Sequence, residues 1–179
     1  LCFGARGTFF ARTVDSDLKN STLIMVEAAK HKGASVVEVL QNCVIYNNGI
    51  HKSITDRTAR SEKTILLKQG EKMLFGANND KGIVREGWDL KAVTIGQDGY
   101  TLDDVLVHDA TTRDVTLHMK LALMGYNNTL PIALGTIRCV SAPTYEEEYE
   151  KQIVTVQNRL PERCLNDFLM YSTNIWEVK

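Results

Sequence analysis

The first sixty residues carry two kinds of apolar pattern in close succession. Thr8-Phe9-Phe10-Ala11 is a short aromatic and apolar run that predicts a strand. From 18 to 32 the spacing turns helical, with Leu18, Thr22, Met25, Val26 and Ala29 along one stripe. Ser16 or Asp17 can cap this helix, Lys30, His31 and Lys32 fall in its last turn, and Gly33 supplies a left-handed stop. Residues 34–40 are then apolar at nearly every position and rich in valine, the pattern of a parallel-sheet strand covered on both faces. Strand, helix and strand with short links make a βαβ unit, so the fold class is α/β.

Beyond 43 the period shortens. Asn47-Asn48-Gly49 marks a turn, and the polar stretch to Lys63 predicts loop or short helix. Four short strand-like runs follow, at 64–67, 73–75, 83–85 and 90–95, punctuated by Gly70, Gly82 and Gly87. Such spacing predicts antiparallel hairpins, not further βαβ units. Helical sequence returns at 114–124, a turn at 125–128 and a strand at 131–137 come next, and Ser141-Ala142-Pro143 is a break. Thr144 with Glu147 forms a capping box for a helix opening near Tyr145. The tail from 160 to 178 is moderately helical and tipped with aromatics, as suits a segment that docks on something. Three regions result: the βαβ portion at 1–60, a hairpin region at 61–100, and an α/β return with a helical tail at 101–179.

Composition narrows the function. At 179 residues the chain has the size of one domain or one domain with an appendage. A net charge of −1 without a lysine and arginine cluster excludes an electrostatic nucleic-acid surface. No apolar stretch approaches the length that crosses a bilayer, so no membrane is expected. The four cysteines, Cys2, Cys43, Cys139 and Cys164, are widely spaced without CxxC, which makes a reducing cytoplasm the expected compartment. The chain opens on Leu1 and runs almost at once into strand-like sequence, from which a fragment lacking its upstream part is expected.

Cys43 is the residue with the most chemistry in prospect. It stands just past the carboxyl end of the 34–40 strand, and ligands of open α/β sheets collect at the carboxyl ends of strands. A free buried cysteine is more often inert packing, and one thiolate holds no metal alone. A Cys-His pair with His31, His51, His108 or His118 is the competing chemistry, although no cysteine-hydrolase signature surrounds Cys43. His31 is better read as a cation at a helix end and His108-Asp109 as a hydrogen-bonding element boundary. Gly4-Ala5-Arg6-Gly7 lacks the strand and third glycine of a dinucleotide fingerprint. Gly96-Gln97-Asp98-Gly99, with Asn127-Asn128 downstream, superficially matches the Gly-Asp-Gly motif for Mg and thiamine diphosphate. Gln97 interrupts its core and the asparagines precede a strand, so it reads as a decoy.

Several segments in one order carry a family likeness. They are Thr8-Phe9-Phe10-Ala11-Arg12, Ala29-Lys30-His31-Lys32-Gly33-Ala34, and Gln41-Asn42-Cys43-Val44-Ile45-Tyr46-Asn47. Leu67-Lys68-Gln69-Gly70, Phe75-Gly76, Leu106-Val107-His108-Asp109-Ala110, and Arg138 with Ala142-Pro143-Thr144-Tyr145 follow. Up to about Glu150 the chain resembles the β subunit of 2-oxoacid:ferredoxin oxidoreductases, and Gln41-Asn42-Cys43 looks most like the members that use 2-oxoglutarate. The resemblance implies the C-terminal portion of a doubly wound thiamine-diphosphate-binding domain, with antiparallel hairpins and C-terminal helices. It implies a cytoplasmic enzyme of α and β subunits that oxidatively decarboxylates a 2-oxoacid with coenzyme A and reduces ferredoxin. It further implies that Cys43 is the fourth cysteine ligand of a 4Fe–4S cluster. The other three ligands, with the motif for thiamine diphosphate and Mg, belong to the family's N-terminal half, so the 179-residue chain alone is expected to be inactive, bind none of these cofactors and self-associate. The other readings are a non-catalytic α/β binding module and a thiol enzyme centred on Cys43.

Overall fold

Two sheets organise the stretch Leu1–Ala142, one of two compact units into which the chain divides; the other is Pro143–Lys179. The computed structural model describes residues 1–125, 129–160, 164–171 and 176. Strand β1 (Phe9–Val14), helix α1 (Leu18–Lys30) and strand β2 (Ser35–Leu40) form the βαβ unit that the patterning predicts, with β1 and β2 parallel. Asp17 caps α1 by accepting the Asn20 backbone N–H, and Gly33 turns the chain at φ 104°. Short helices α2 (Lys52–Thr55) and α3 (Arg57–Lys63) lead into β3 (Thr64–Leu67). Strands β4 (Leu74–Phe75), β5 (Lys81–Glu86) and β6 (Asp89–Thr94) make a separate antiparallel sheet, and α4 (Thr116–Leu123) precedes β7 (Ile132–Cys139).

The larger sheet has the order β2-β1-β7-β3 and is mixed: β7 runs antiparallel to β1 and parallel to β3. Residues 64–67, expected among the hairpins, therefore belong to this sheet. The reason lies in the connection. A parallel crossover needs about a dozen residues or more of return, and neither α2 nor α3 is long enough to carry the chain back along the sheet. Ile54 of α2 is buried with Val14 and Leu134 at the end where β1 and β2 finish, and β3 starts from there in the opposite direction. Between the two sheets, Ile65, Leu67, Met73, Ile83, Leu121, Met124 and Ile137 join one apolar core.

Two expectations of burial are corrected. Strand β2 is an edge strand with Val36 and Val39 each more than 40% exposed, not a strand covered on both faces. Helix α1 packs on the sheet through Ile24 and Ala28, which leaves Leu18, Met25 and Val26 of the anticipated stripe open. Both departures have one cause: these elements carry more apolar surface than this chain covers. No helix among the described residues is long and apolar enough to cross a membrane.

In Pro143–Lys179, α5 (Tyr145–Gln157) opens on the capping box, with Thr144 Oγ1 accepting from the Glu147 N–H and the Glu147 carboxylate accepting from the Thr144 N–H. Helix α6 (Leu165–Leu169) is the helical part described in the tail.

Candidate functional site

The sheet delivers Cys43 to the carboxyl end of β2, three residues past Leu40. The loop that follows is pinned to both parallel strands. Asp15, just beyond β1, donates its N–H to Leu40 O (3.1 Å), and its carboxylate accepts the Asn42 N–H (3.3 Å). The Asn42 side chain then reaches forward, donating to Asn48 Oδ1 (3.1 Å) and accepting the Gly49 N–H (2.7 Å). Gly49 takes a positive φ of 81°, a conformation that suits the turn and that side chains disfavour. Asn42, given no role of its own by the sequence, is thus the brace of the loop. Its two-sided amide is what the position uses.

Inside this loop the Asn47 N–H donates to Cys43 O (2.9 Å) and closes a tight turn. The thiol of Cys43 is carried on that turn. Hydrogen bonds from the N–H of Tyr46 first, then those of Ile45 and Asn47, hold its thiol below the ordinary cysteine range. Donors gathered on a sulfur favour the thiolate, the form that binds metal and acts as a nucleophile. Cys2 and Cys139 behave oppositely, since burial pushes both thiols up. Of these three sulfurs, only Cys43 is set up for negative charge.

A cavity of about 240 Å³ adjoins the loop, lined by Asp15, Asn42, Asn48, His51 and Lys52 among others. It lies beyond the carboxyl ends of β1 and β2, and Cys43 is not among its lining residues. Among the described residues no three His, Cys, Asp or Glu side chains converge as a metal group. Around Cys43 the residues Val44, Ile45 and Tyr46 are 72–90% exposed, an apolar rim unusual for a loop tip.

None of the four histidines hydrogen-bonds Cys43 among the described residues. His31 Nε2 pairs with Thr8 Oγ1 (2.9 Å), and its Nδ1 lies 3.9 Å from the sulfur of Cys139 instead. His108 and His118 are buried and bond main-chain oxygens, those of Thr136 and Asp109 (both 2.8 Å). Arg138, also buried, donates to His118 Nδ1 (2.9 Å) and to Gly7 O (3.1 Å). Asp109 accepts from Gln69 Nε2 and from Thr111, Thr111 being the larger influence, and its carboxyl is lowered to about 2. Residues from separate likeness-bearing segments are thus linked, Gln69 to Asp109 at the surface and Arg138, through His118, to the Asp109 carbonyl inside. The polar letter inside an apolar strand, Arg138, was the available signal for the buried link; Arg12 is a second such letter and bonds Glu38 and the Ala122 carbonyl instead. Gly96-Gln97-Asp98-Gly99 is a turn after β6 with three positive φ values, and Asn127 and Asn128 lie outside the described residues.

The chain is 32% identical over 179 residues to the 2-oxoglutarate oxidoreductase subunit KorB of Mycobacterium tuberculosis (strain ATCC 25618 / H37Rv). That alignment takes in 99% of this chain and 47% of the relative, so the chain spans about half the relative's length. No family model and no solved structure matches.

Proposed function

Starting from the likeness to 2-oxoacid:ferredoxin oxidoreductase β subunits, the 2-oxoglutarate type in particular, we propose that this chain is the C-terminal part of such a subunit. In this reading the whole enzyme oxidatively decarboxylates 2-oxoglutarate with coenzyme A and hands electrons to ferredoxin, in the cytoplasm and together with an α subunit. Cys43 is one of four cysteine thiolates holding a 4Fe–4S cluster. The cluster supplies one-electron transfer, and thiamine diphosphate with Mg supplies the carbon–carbon cleavage.

What supports the role of Cys43 is its set of backbone N–H donors. They stabilise the thiolate, and hydrogen bonds to cluster sulfurs are one of the levers that set a cluster's potential. Asn42 and Asp15 fix where that sulfur stands, because they tie its loop to the ends of β1 and β2. The open stripe of α1, the β2 edge and the apolar rim at residues 44–46 fit cover by the rest of the enzyme. Alone, the 179-residue chain lacks the three other thiolates and is inactive.

The test is Cys43→Ala in the intact assembly. Visible iron–sulfur absorbance and ferredoxin reduction are both expected to be lost while the subunits still associate. Survival of both would overturn the reading. The isolated chain should be colourless, and stoichiometric iron in it would count equally against the proposal.

A further inference from the structure

Helix α5 is a helix without a covered face. No residue of it is buried, although Tyr145, Tyr149, Ile153 and Val156 recur on one side. Leu160 continues the stripe in the next turn, where its N–H still donates to Val156 O (3.1 Å). Spacings of four, four, three and four residues keep these five side chains within one narrow seam, the pattern by which helices pair. Tyr145 and Tyr149 stack along it with ring centroids 6.1 Å apart. Thirteen residues are marginal as a free helix in water, so the seam calls for a partner.

The charges on the same helix say which partner. Glu146, Glu147, Glu148 and Glu150 crowd its first half, whereas Lys151 and Arg159 lie beyond. We propose that α5 pairs antiparallel with α5 of a second copy of this chain, about a two-fold axis near Gln152 and Ile153. The seam is self-complementary about that point: Tyr145 meets Leu160 of the other copy, and Tyr149 meets Val156. Helical geometry also puts Glu148 on the same side of the seam as Arg159 of the other copy. A parallel pair would instead align the two glutamate-rich halves, a like-charge arrangement. The antiparallel pair is isologous and closes on itself as a dimer.

This pairing is independent of the oxidoreductase reading, because it uses no residue of the Cys43 loop. The experiment mixes 15N-labelled and unlabelled copies of the 179-residue chain carrying p-benzoylphenylalanine in place of Tyr145. On irradiation, a cross-link between copies from position 145 to the peptide holding Leu160 is expected. A 145-to-145 link between copies would overturn the antiparallel arrangement. Links confined to one copy would show the seam folded onto its own chain and would overturn the dimer. In sedimentation equilibrium, Ile153→Glu should raise the half-dimerisation concentration by about a hundred-fold or more, because two buried side chains are lost per dimer. Val36→Lys, on the β2 edge, should leave the photo-cross-link unchanged. A monomer at about 100 µM with no cross-link sinks the proposal.

Discussion

At the scale of single residues, His118 shows how burial decides a protonation state. Desolvation, first among its influences, pushes its pKa down, and Arg138 beside Nδ1 works in the same direction. A carbonyl on Nε2 and a guanidinium donor on Nδ1 together require the neutral ring with its proton on Nε2. His108 is shifted the same way, again chiefly by desolvation. Because the folded pKa lies below that of the unfolded chain, the unfolded state takes up protons first as pH falls. Stability is therefore complete above the unfolded histidine value of about 6.5 and declines as pH drops below it. Melting followed by circular dichroism should show a lower Tm at about pH 5 than at about pH 7.5. His118→Gln, whose amide offers both a donor and an acceptor, should flatten that dependence. Asp109 acts in a lower window: its carboxyl is held at about 2, so its contribution is present above the unfolded value of about 3.9 and disappears as pH falls through 2. Cys43 itself was legible as a position, three residues past an apolar strand. The N–H groups on its sulfur were not, because they depend on the backbone angles of the turn at 43–47 and leave no mark in residue type.

Elements divide along similar lines. Helices α1 and α5 could be read with their caps because Asp17 and Thr144 act within three residues of themselves. The sheet could not be read in full, since strand order and direction depend on contacts between distant residues. Residues 64–67 have the same look in a hairpin as beside β7, and only their pairing with the distant residues 132–135 decides the matter. The side of α1 that meets the sheet was equally hidden: Leu18, Met25 and Val26 compete with Ile24 and Ala28 as the apolar face. Strand β7 is one of the two central strands of the sheet, bonding β1 on one side and β3 on the other. Gly135 stands at its middle with φ 100°, and a Cβ there would come within 2.5 Å of Leu67 O. Gly135→Ala should thus destabilise the fold by about 2 kcal/mol or more, measured by urea denaturation. Gly87→Ala, with open space around it and a positive φ of 62°, should cost less, about 1 kcal/mol.

At the scale of the whole molecule, exposed apolar side chains gather on the outer stripe of α1, the β2 edge and the loop after Cys43 in Leu1–Ala142, and on α5 and α6 in Pro143–Lys179. An open strand edge with valines on it recruits other strands. The double substitution Val36→Lys, Val39→Lys should therefore lower light scattering of the isolated chain without shifting its circular dichroism. In the assembled enzyme the same change should weaken subunit retention, if this region is covered there as proposed. One feature of the Cys43 turn also governs how the chain behaves in a test tube. A sulfur held toward its thiolate is also the one that reacts first with an electrophile. Iodoacetamide should accordingly label Cys43 ahead of Cys2 and Cys139, as peptide mapping after brief exposure would show. A sample of the chain kept in air will therefore age at that sulfur ahead of Cys2 and Cys139, and a loss of free thiol on storage will reflect oxidation there before any unfolding.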